Sequence, residues 1–343
     1  MDDLPLSRND DGEIRLAGTA RPVSLQILYD CILGAGGQGA VFVGKILGKS
    51  DSRVIMQVAA KVPIVVQDPL GELRAEAEKH AQAWMELDHV LRPIGFLAAH
   101  DMTGTPAVLL TEIATPLDSF LSRAGPLSDR HFRWIKAIAR VVFQLLQFIV
   151  SADAINLLHR DIKTNNMFVV QTHSLELARL AVGDFGAAQR GEETEGGNVV
   201  YRTGVCTWNH TSPRMASALY GEITANGALR GASPLGRQLC FYNDLFGWAR
   251  IAFLALADRP PPDTLFGPTE ADYARVPDLG YGDVLDAVRH LLCFALDLMT
   301  PGEIDERADA EYINALEWYH TLPGVLAGGA ENDDQRHVRK TQA

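Results

Sequence analysis

Apolar residues occur in short, β-branched stretches separated by glycines over residues 23–112. Four of these stretches have the composition of strands: CILG, AVFVGKIL, RVIMQVAAKVP and AVLLTEI. Between the third and the fourth lies GELRAEAEKHAQAWMEL, which is rich in alanine and glutamate and has helical character. β-branched runs bounded by turn residues are typical of antiparallel strands. The pattern therefore predicts an antiparallel sheet that carries one helix.

The pattern becomes mostly helical after residue 114, where apolar positions recur every three or four residues. Four helices are predicted, at 117–123, 129–152, 244–257 and 284–299. Two strand-like fragments, NMFVV and LARLAVGDF, interrupt them. The predicted fold class is therefore α+β, with a small β-sheet lobe at 23–113 and a larger, mainly α-helical lobe at 114–325. The polar residues 1–22 are expected to form a flexible leader, and 326–343 a disordered tail.

Composition and charge narrow the possible functions. The net charge of -12 argues against direct nucleic-acid binding, which needs a basic surface. Cys31, Cys206, Cys240 and Cys293 form no C-x-x-C pair, which favours a reducing, intracellular location in the cytoplasm or nucleus. The N-terminus lacks the pattern of a secretory signal. The longest apolar run, 135–150, contains polar positions and is predicted to be a buried amphipathic helix, so no membrane span is expected.

A glycine-rich loop and a lysine together indicate a nucleotide site. Gly34, Gly36, Gly39 and Val41 fit the pattern G-x-G-x-x-G-x-V, and glycines let the backbone approach phosphates closely. Such a turn is a weak signal by itself. A dinucleotide-binding loop would lead into a helix, whereas this loop leads into a strand-like stretch. Lys61 follows in VAAK, and a lysine on a strand can supply positive charge to nucleotide phosphates.

The most specific motif is HRDIKTNN at 159–166. Asp161 can accept the proton of a substrate hydroxyl and orient its oxygen for in-line attack. Lys163 can neutralise charge on a transferring phosphoryl group, and Asn166 offers a neutral oxygen ligand to Mg²⁺. Downstream, the carboxylate of Asp184 in DFG offers a second magnesium ligand. A chance match at so many specified positions is negligible, so the motifs predict phosphoryl transfer.

These motifs resemble those of the eukaryotic protein kinase superfamily over about 27–322. HRDIKTNN and DFGAA are also similar to segments of herpesvirus serine/threonine kinases, which would place the chain in a virus-infected host cell. The resemblance implies the bilobal kinase fold and transfer of the γ-phosphoryl of ATP, with Mg²⁺, to a serine or threonine of a protein. The alternative is a nucleotide-binding pseudokinase scaffold. Against it, Lys61, Asp161, Asn166 and Asp184 are all present.

The resemblance also implies which residues surround the nucleotide. Beyond the glycines and the lysine, the predicted binding residues are Val41, Ala59, Thr111, Glu112, Ala114, Asp118 and Phe168. Thr111 would be the gatekeeper, Glu112 and Ala114 part of the hinge that meets adenine, and Asp118 a neighbour of the ribose. The remaining three would enclose the adenine ring. Asp244, in NDLFGWA, would brace the catalytic loop.

By the same resemblance, the lysine needs a glutamate partner from the helix that follows it. Counting back from 90–91, which resembles the start of the next strand in kinases, selects Glu78 as the partner of Lys61, with Glu76 as the second choice. Gln82 then falls one turn after Glu78, where kinases usually have an apolar residue.

The segment CTWNHTSPR overlays the kinase pattern G-T-x-x-Y-x-A-P-E and supports serine/threonine specificity. Thr207 falls where serine/threonine kinases keep a threonine, and Lys163 favours the same class. Arg214 replaces the usual glutamate of that pattern. Arg160 is expected to clamp a phosphate on the activation segment, and the acidic run at 192–195 could partly replace that phosphate.

Overall fold

The computed structural model describes residues 6–8, 13–16, 22–36, 39–63, 71–98, 106–125, 132–201, 211–212, 215, 235–257, 291–293 and 295–296. The chain divides into two units. The first unit comprises Met1–Thr115 and Ala181–Gly186, and the second comprises Pro116–Leu180 and Ala187–Ala343. The described residues of the first form strands and one helix, whereas those of the second are mainly helical. This division confirms the predicted α+β class.

The β-branched stretches form the strands of the first unit. Seven strands close into a barrel in the order β1-β2-β3-β4-β5-β7-β6. They are β1 (Leu6–Arg8), β2 (Ile14–Leu16), β3 (Pro22–Gly36), β4 (Gly39–Gly48), β5 (Val54–Pro63), β6 (Pro93–Leu97) and β7 (Val108–Thr111). Long antiparallel pairings join β3 to β4 and β4 to β5. Buried apolar side chains such as Ile46, Val58 and Leu110 fill the barrel, which explains the apolar, β-branched composition of these strands.

The described residues of the predicted flexible leader, 6–8 and 13–16, form strands instead. β1 pairs antiparallel with β2 and parallel with β6, and these pairings close the barrel. Leu6 is buried in the barrel core. A Cβ atom at Gly95 would lie 2.5 Å from the carbonyl oxygen of Leu6, so only glycine lets β1 approach β6 this closely. The predicted disordered tail at 326–343 lies outside the described residues.

Within the described residues of the first unit, α1 (Glu72–Glu86) is the one α-helix. Its buried side chains form a single stripe with helical spacing: Leu73, Glu76, Ala77, His80 and Ala83. Leu73 and Ala77 pack with Ala107 and Leu109 of the barrel side. The stripe contains two polar side chains, so this helix contributes more than apolar packing to the unit.

The described residues of the second unit include the helices α2 (Leu117–Ala124), α3 (Phe132–Ala154) and α4 (Arg237–Ala257). α3 and α4 pack together, and the buried Trp248 indole donates a hydrogen bond to the carbonyl oxygen of Val142 at 2.9 Å. By length and composition, Arg133–Ala154 could cross a membrane, but 67% of its most apolar stretch is buried within the protein. It is the core helix predicted from 129–152. The predicted helix at 284–299 lies largely outside the described residues.

Short strands occur before and between these helices along the chain. They are β8 (Thr115–Pro116), β9 (Leu157–Leu158), β10 (Met167–Val170), β11 (Arg179–Val182), β12 (Gln189–Arg190), β13 (Glu192–Glu193), β14 (Val199–Tyr201) and β15 (Leu235–Gly236). The residues of β8 and β11 are divided between the two units. β12 pairs with β9, which ends just before the HRDIKTNN segment, the predicted catalytic loop at 159–166. β13 and β14 form a hairpin, and β14 also pairs with β15. The segment that follows DFG is therefore held by the pairing of β12 with β9 and of β14 with β13 and β15.

Candidate active site

Lys61 is the centre of an ion cluster in the first unit. It lies on β5, directly opposite Val41 of β4, and β4 is the strand that follows the glycine loop. Its ammonium group donates to both carboxylate oxygens of Glu76, at 2.7 and 2.8 Å, and to Oδ1 of Asp184 at 3.1 Å. The side chain of Lys61 is 17% exposed and that of Glu76 is 6% exposed. The pair is therefore largely shielded from water, and its charge interactions are stronger than those at the surface.

Burial and charge oppose each other in this cluster. Burial lowers the pKa of Lys61, but the carboxylates of Glu76 and Asp184 outweigh that effect and raise the pKa above its ordinary value. Burial raises the pKa of Glu76, with Lys61 acting in the opposite direction. The lysine is thus held in its charged form. A fixed ammonium group of this kind suits the binding of nucleotide phosphates.

The choice of Glu78 as the partner of Lys61 is wrong. Glu78 lies on the exposed side of α1, where it accepts a hydrogen bond at 3.1 Å from Arg74, four residues earlier. Successive helical residues are rotated by about 100°, so Glu76 and Glu78 are about 200° apart around the axis. Glu76 belongs to the buried stripe with Leu73. That stripe is visible in the sequence and selects Glu76, whereas counting back from the next strand missed it by two residues.

The same two-residue shift changes which residue lies one turn beyond the glutamate. It is His80, not Gln82, and His80 was absent from the predicted site. His80 is buried, its Nε2 lies 2.7 Å from the carbonyl oxygen of Leu91, and its ring stacks on Phe185 with 4.9 Å between centroids. Phe185, the phenylalanine of DFG, is itself buried.

The glycines of the predicted phosphate loop have different roles. Gly36 and Gly39 are paired where β3 meets β4, and the two residues between them lie outside the described part. A Cβ atom at Gly39 would lie 2.7 Å from the carbonyl oxygen of Val62, so close strand packing requires this glycine. A Cβ atom at Gly34 would meet no protein atom within 4 Å. Packing within the described residues therefore does not explain Gly34, whereas close approach of a ligand would.

In the second unit, three residues of HRDIKTNN hold one another. Lys163 Nζ lies 2.7 Å from Oδ2 of Asp161. The amide nitrogen of Asn166 donates to the same Oδ2 and to the backbone oxygen of Asp161, both at 2.9 Å. Asn166 lies in a short 3₁₀ turn, Thr164–Asn166, and is buried. The carboxylate of Asp161 is therefore fixed in orientation, as a catalytic base requires.

Asp244 braces this loop from α4, as the resemblance implied. Its two carboxylate oxygens accept hydrogen bonds from the backbone N–H groups of His159 and Arg160, each at 2.8 Å. Complete burial raises the pKa of Asp244 to about 7, although the two N–H donors act in the opposite direction. A Cβ atom at Gly247, one turn further along, would lie 2.7 Å from the carbonyl oxygen of Ile162. The helix therefore approaches the catalytic loop as closely as glycine allows.

The predicted adenine-binding residues occupy both units. Ala59 pairs with Thr111 of β7, which places the predicted gatekeeper beside it in the barrel. The carboxylate of Glu112 accepts a hydrogen bond from the backbone N–H of Arg92 at 2.9 Å, so this glutamate ties the hinge to the start of β6. Ala114 precedes β8 in the first unit. Two residues belong to the second unit: Asp118 of α2 and Phe168 of β10. Their contact with a nucleotide stays a prediction.

The activation segment is ordered where it follows DFG. The guanidinium group of Arg160 donates a hydrogen bond to Oε1 of Gln189 on β12. The hairpin of β13 and β14 closes through hydrogen bonds from Thr194 N to Asn198 O at 2.8 Å and from Gly197 N to Thr194 O at 2.9 Å. The glutamates at 192–195 are exposed. Gln189 was not among the residues predicted to meet Arg160. Thr207 and Arg214 lie outside the described residues.

Comparisons with known proteins agree with these motifs. Residues 29–224 match the protein kinase domain family. The chain is 26% identical over 253 residues to serine/threonine-protein kinase pkn3 of Myxococcus xanthus, covering 71% of this chain and 43% of that protein. It is 27% identical over 189 residues to mitogen-activated protein kinase 4 of Rattus norvegicus, covering 53% of this chain and 63% of that protein. The chain thus spans less than two thirds of either relative, and neither match tests the similarity to herpesvirus kinases.

Proposed function

This chain belongs to the protein kinase family, and from that premise we propose that it transfers the γ-phosphoryl of ATP to serine or threonine hydroxyls of proteins. The observation that carries the proposal is that hydrogen bonds and ion pairs hold the polar residues of the motifs in place. Lys61 is held between Glu76 and Asp184, and Asp161 is held by Lys163 and Asn166. These two clusters contain the lysine–glutamate pair, the DFG aspartate, the catalytic aspartate and the asparagine of the protein kinase template.

The residues divide the reaction between them. The substrate hydroxyl oxygen forms a bond to the γ-phosphorus while the bond to the oxygen between the β- and γ-phosphorus breaks. The hydroxyl proton passes to the carboxylate of Asp161, and ADP leaves with the electron pair of the broken bond. Lys163, beside Asp161, stabilises negative charge on the transferring group. Lys61 orients the α- and β-phosphates through its charge.

The residues present fit ATP and magnesium. Gly34 leaves room for phosphate at the loop. Gly34 pairs with Val41 of β4, and Val41 pairs with Lys61 of β5, which provides a fixed positive charge. Asn166 uses its amide nitrogen for Asp161, which leaves Oδ1 to serve as a cation ligand. Asp184 offers a carboxylate beside Lys61. Bound Mg²⁺ would neutralise phosphate charge, and with two protein ligands it would retain several waters and depend on ATP for binding.

Specificity for serine and threonine is supported by the pairing of Lys163 with Asp161. Of the two relatives, one carries serine/threonine-protein kinase in its name. An intracellular location is part of the proposal, since ATP is an intracellular metabolite and Cys31 and Cys240 form no disulfide.

The test incubates the purified full chain with labelled ATP, Mg²⁺ and a protein-substrate array, followed by phosphoamino-acid analysis. We expect phosphoserine and phosphothreonine with little phosphotyrosine. Asp184→Ala should abolish transfer and leave the circular dichroism spectrum unchanged, because this side chain is partly exposed. Glu78→Gln serves as the matched control. Nucleotide binding without transfer under these conditions would favour the pseudokinase alternative.

A further inference from the structure

His80 is a buried polar side chain for which the proposed phosphoryl transfer gives no role. It lies on the inner stripe of α1, one turn beyond Glu76, and is 1% exposed. Its Nε2 lies 2.7 Å from the carbonyl oxygen of Leu91. A carbonyl oxygen can only accept, so the ring must carry a proton on Nε2 and donate it. One tautomer is thereby selected, and α1 is bonded to the chain just before β6.

The same ring contacts the residue after the metal-binding carboxylate. It stacks on Phe185 with an angle of 30° between the ring planes. Leu91, which receives the hydrogen bond, is itself part of a backbone ladder with β11: Leu91 N donates to Val182 O at 2.8 Å, and Val182 N donates to His89 O at 2.7 Å. β11 leads directly to Asp184. His80 thus contacts Leu91, which is hydrogen-bonded to the strand that precedes DFG, and Phe185 of DFG itself.

Geometry links these contacts to the ion cluster. Residues four apart on a helix lie on the same face, about 6 Å apart along the axis. A rotation or slide of α1 that broke the contact of His80 with Leu91 would therefore also displace Glu76 from Lys61. Lys79 adds a third contact from the same turn, donating to the carbonyl oxygen of Gly186 at 3.1 Å. α1 is thus held by polar contacts to the carbonyl oxygens of Leu91 and of Gly186, the residue after Phe185.

We propose that His80 is a positioning residue for the Lys61–Glu76–Asp184 cluster. Its hydrogen bond to Leu91 fixes the rotation of α1 that brings Glu76 to Lys61, and its ring fixes Phe185. An apolar side chain could pack on Phe185 but could not hold the Leu91 carbonyl, so the histidine supplies both contacts. This proposal rests on the proposed kinase function, because its main readout is phosphoryl transfer.

The first test compares His80→Gln with His80→Asn. The two variants carry the same amide group, but only glutamine is long enough to place its nitrogen near the position of Nε2 and donate to Leu91. We expect kcat/KM for ATP to remain within about threefold of wild type for His80→Gln and to fall roughly tenfold for His80→Asn, the range that loss of one buried hydrogen bond produces. Equal values for the two variants would overturn the role of the hydrogen bond.

The second test separates positioning from general stability through a double-mutant cycle. His80→Leu and Glu76→Gln should each lower kcat/KM for ATP, but in the Glu76→Gln background His80→Leu should cost less than about twofold more. A residue that only stabilised the fold would lower activity by the same factor in both backgrounds, and that result would refute the proposal. His80→Leu in the background of the exposed control Glu78→Gln should retain its full effect.

The failure of the kinase function can be told apart from the failure of this proposal. If the wild-type chain transfers no phosphate, the same cycle is measured on the dissociation constant of ATP by calorimetry. Non-additivity between His80 and Glu76 would then support positioning without catalysis. Additive changes in that dissociation constant would overturn it.

Discussion

Exchanging Glu76 and Glu78 in turn for glutamine tests the helix register directly. The two substitutions are chemically identical and only two residues apart on α1. Glu76→Gln removes the carboxylate that receives two hydrogen bonds from Lys61, while Glu78→Gln removes a carboxylate that contacts Arg74 at the surface. Any difference between the variants therefore reports which side of the helix faces the lysine.

The structure sets the expected magnitudes. Breaking a fully buried ion pair costs about 3–5 kcal/mol. Lys61 keeps a second carboxylate partner in Asp184, and its side chain is 17% exposed, so we expect about 2–3 kcal/mol for Glu76→Gln. This corresponds to a fall in kcat/KM for ATP of about 30- to 150-fold. The Glu78 side chain is 52% exposed, and such surface pairs contribute at most about 0.5 kcal/mol, so its effect should be about twofold or less.

The assay is steady-state phosphorylation of one protein substrate at varied ATP, with thermal unfolding of each variant as a control. Glu78→Gln should unfold within a few degrees of wild type, whereas Glu76→Gln should unfold at a lower temperature because it leaves Lys61 with one carboxylate partner, so activity is assayed well below both transitions. A large loss in Glu78→Gln with near-normal activity in Glu76→Gln would refute the register of α1. Equal losses in both would show that the lysine has no single partner on this helix.

Three further predictions concern the catalytic loop and its support. Gly247→Ala should lower kcat at least about tenfold, with helix content unchanged by circular dichroism, because the new Cβ must displace the carbonyl of Ile162; normal kcat would show that the loop accommodates it. The raised pKa of Asp244, about 7 against 3.8 unfolded, means that its contribution to stability is complete below pH 3.8 and is lost as pH rises to about 7. Urea unfolding should therefore show wild type losing about 1.4 kcal/mol per pH unit relative to Asp244→Asn between pH 5 and 7, and parallel curves would contradict the burial argument. Finally, wild-type enzyme treated with phosphatase should retain activity. Gln189→Ala should lower that activity about fivefold, because Gln189 accepts the hydrogen bond of Arg160. Complete loss of activity in the treated wild type would show instead that phosphate is essential.

The sequence predicted the parts of the site whose residues lie close together along the chain. In HRDIKTNN, the three polar side chains that bond one another fall within six residues, so the motif specifies its own geometry. The partner of Lys61 could not be found in this way, because Glu76 is 15 residues away and the choice depends on the rotation of a helix. The buried stripe of α1 carries that information, but four glutamates in one helix obscured it.

The fold shows the same division between strong and weak local signals. Long runs rich in β-branched residues, such as β4 and β5 with ten residues each, predict strands from their composition and length. β1 and β2 have three residues each, too few for periodicity to be visible in a polar segment. Their place in the barrel depends on Leu6 and on the close approach that Gly95 permits, which only the folded partner strand reveals.

Buried polar side chains are concentrated where the chain must hold its reactive groups. Glu76 bonds Lys61, His80 meets the Leu91 carbonyl, Asn166 bonds Asp161, and Asp244 receives the N–H groups of the catalytic loop. Burying such groups is costly unless each is bonded, and apolar residues of similar size often give equal or greater stability. Preorganised polar groups, in contrast, stabilise charge that develops during a reaction without having to reorient. The placement of these four residues in the interior is therefore better explained by the proposed phosphoryl transfer than by stability.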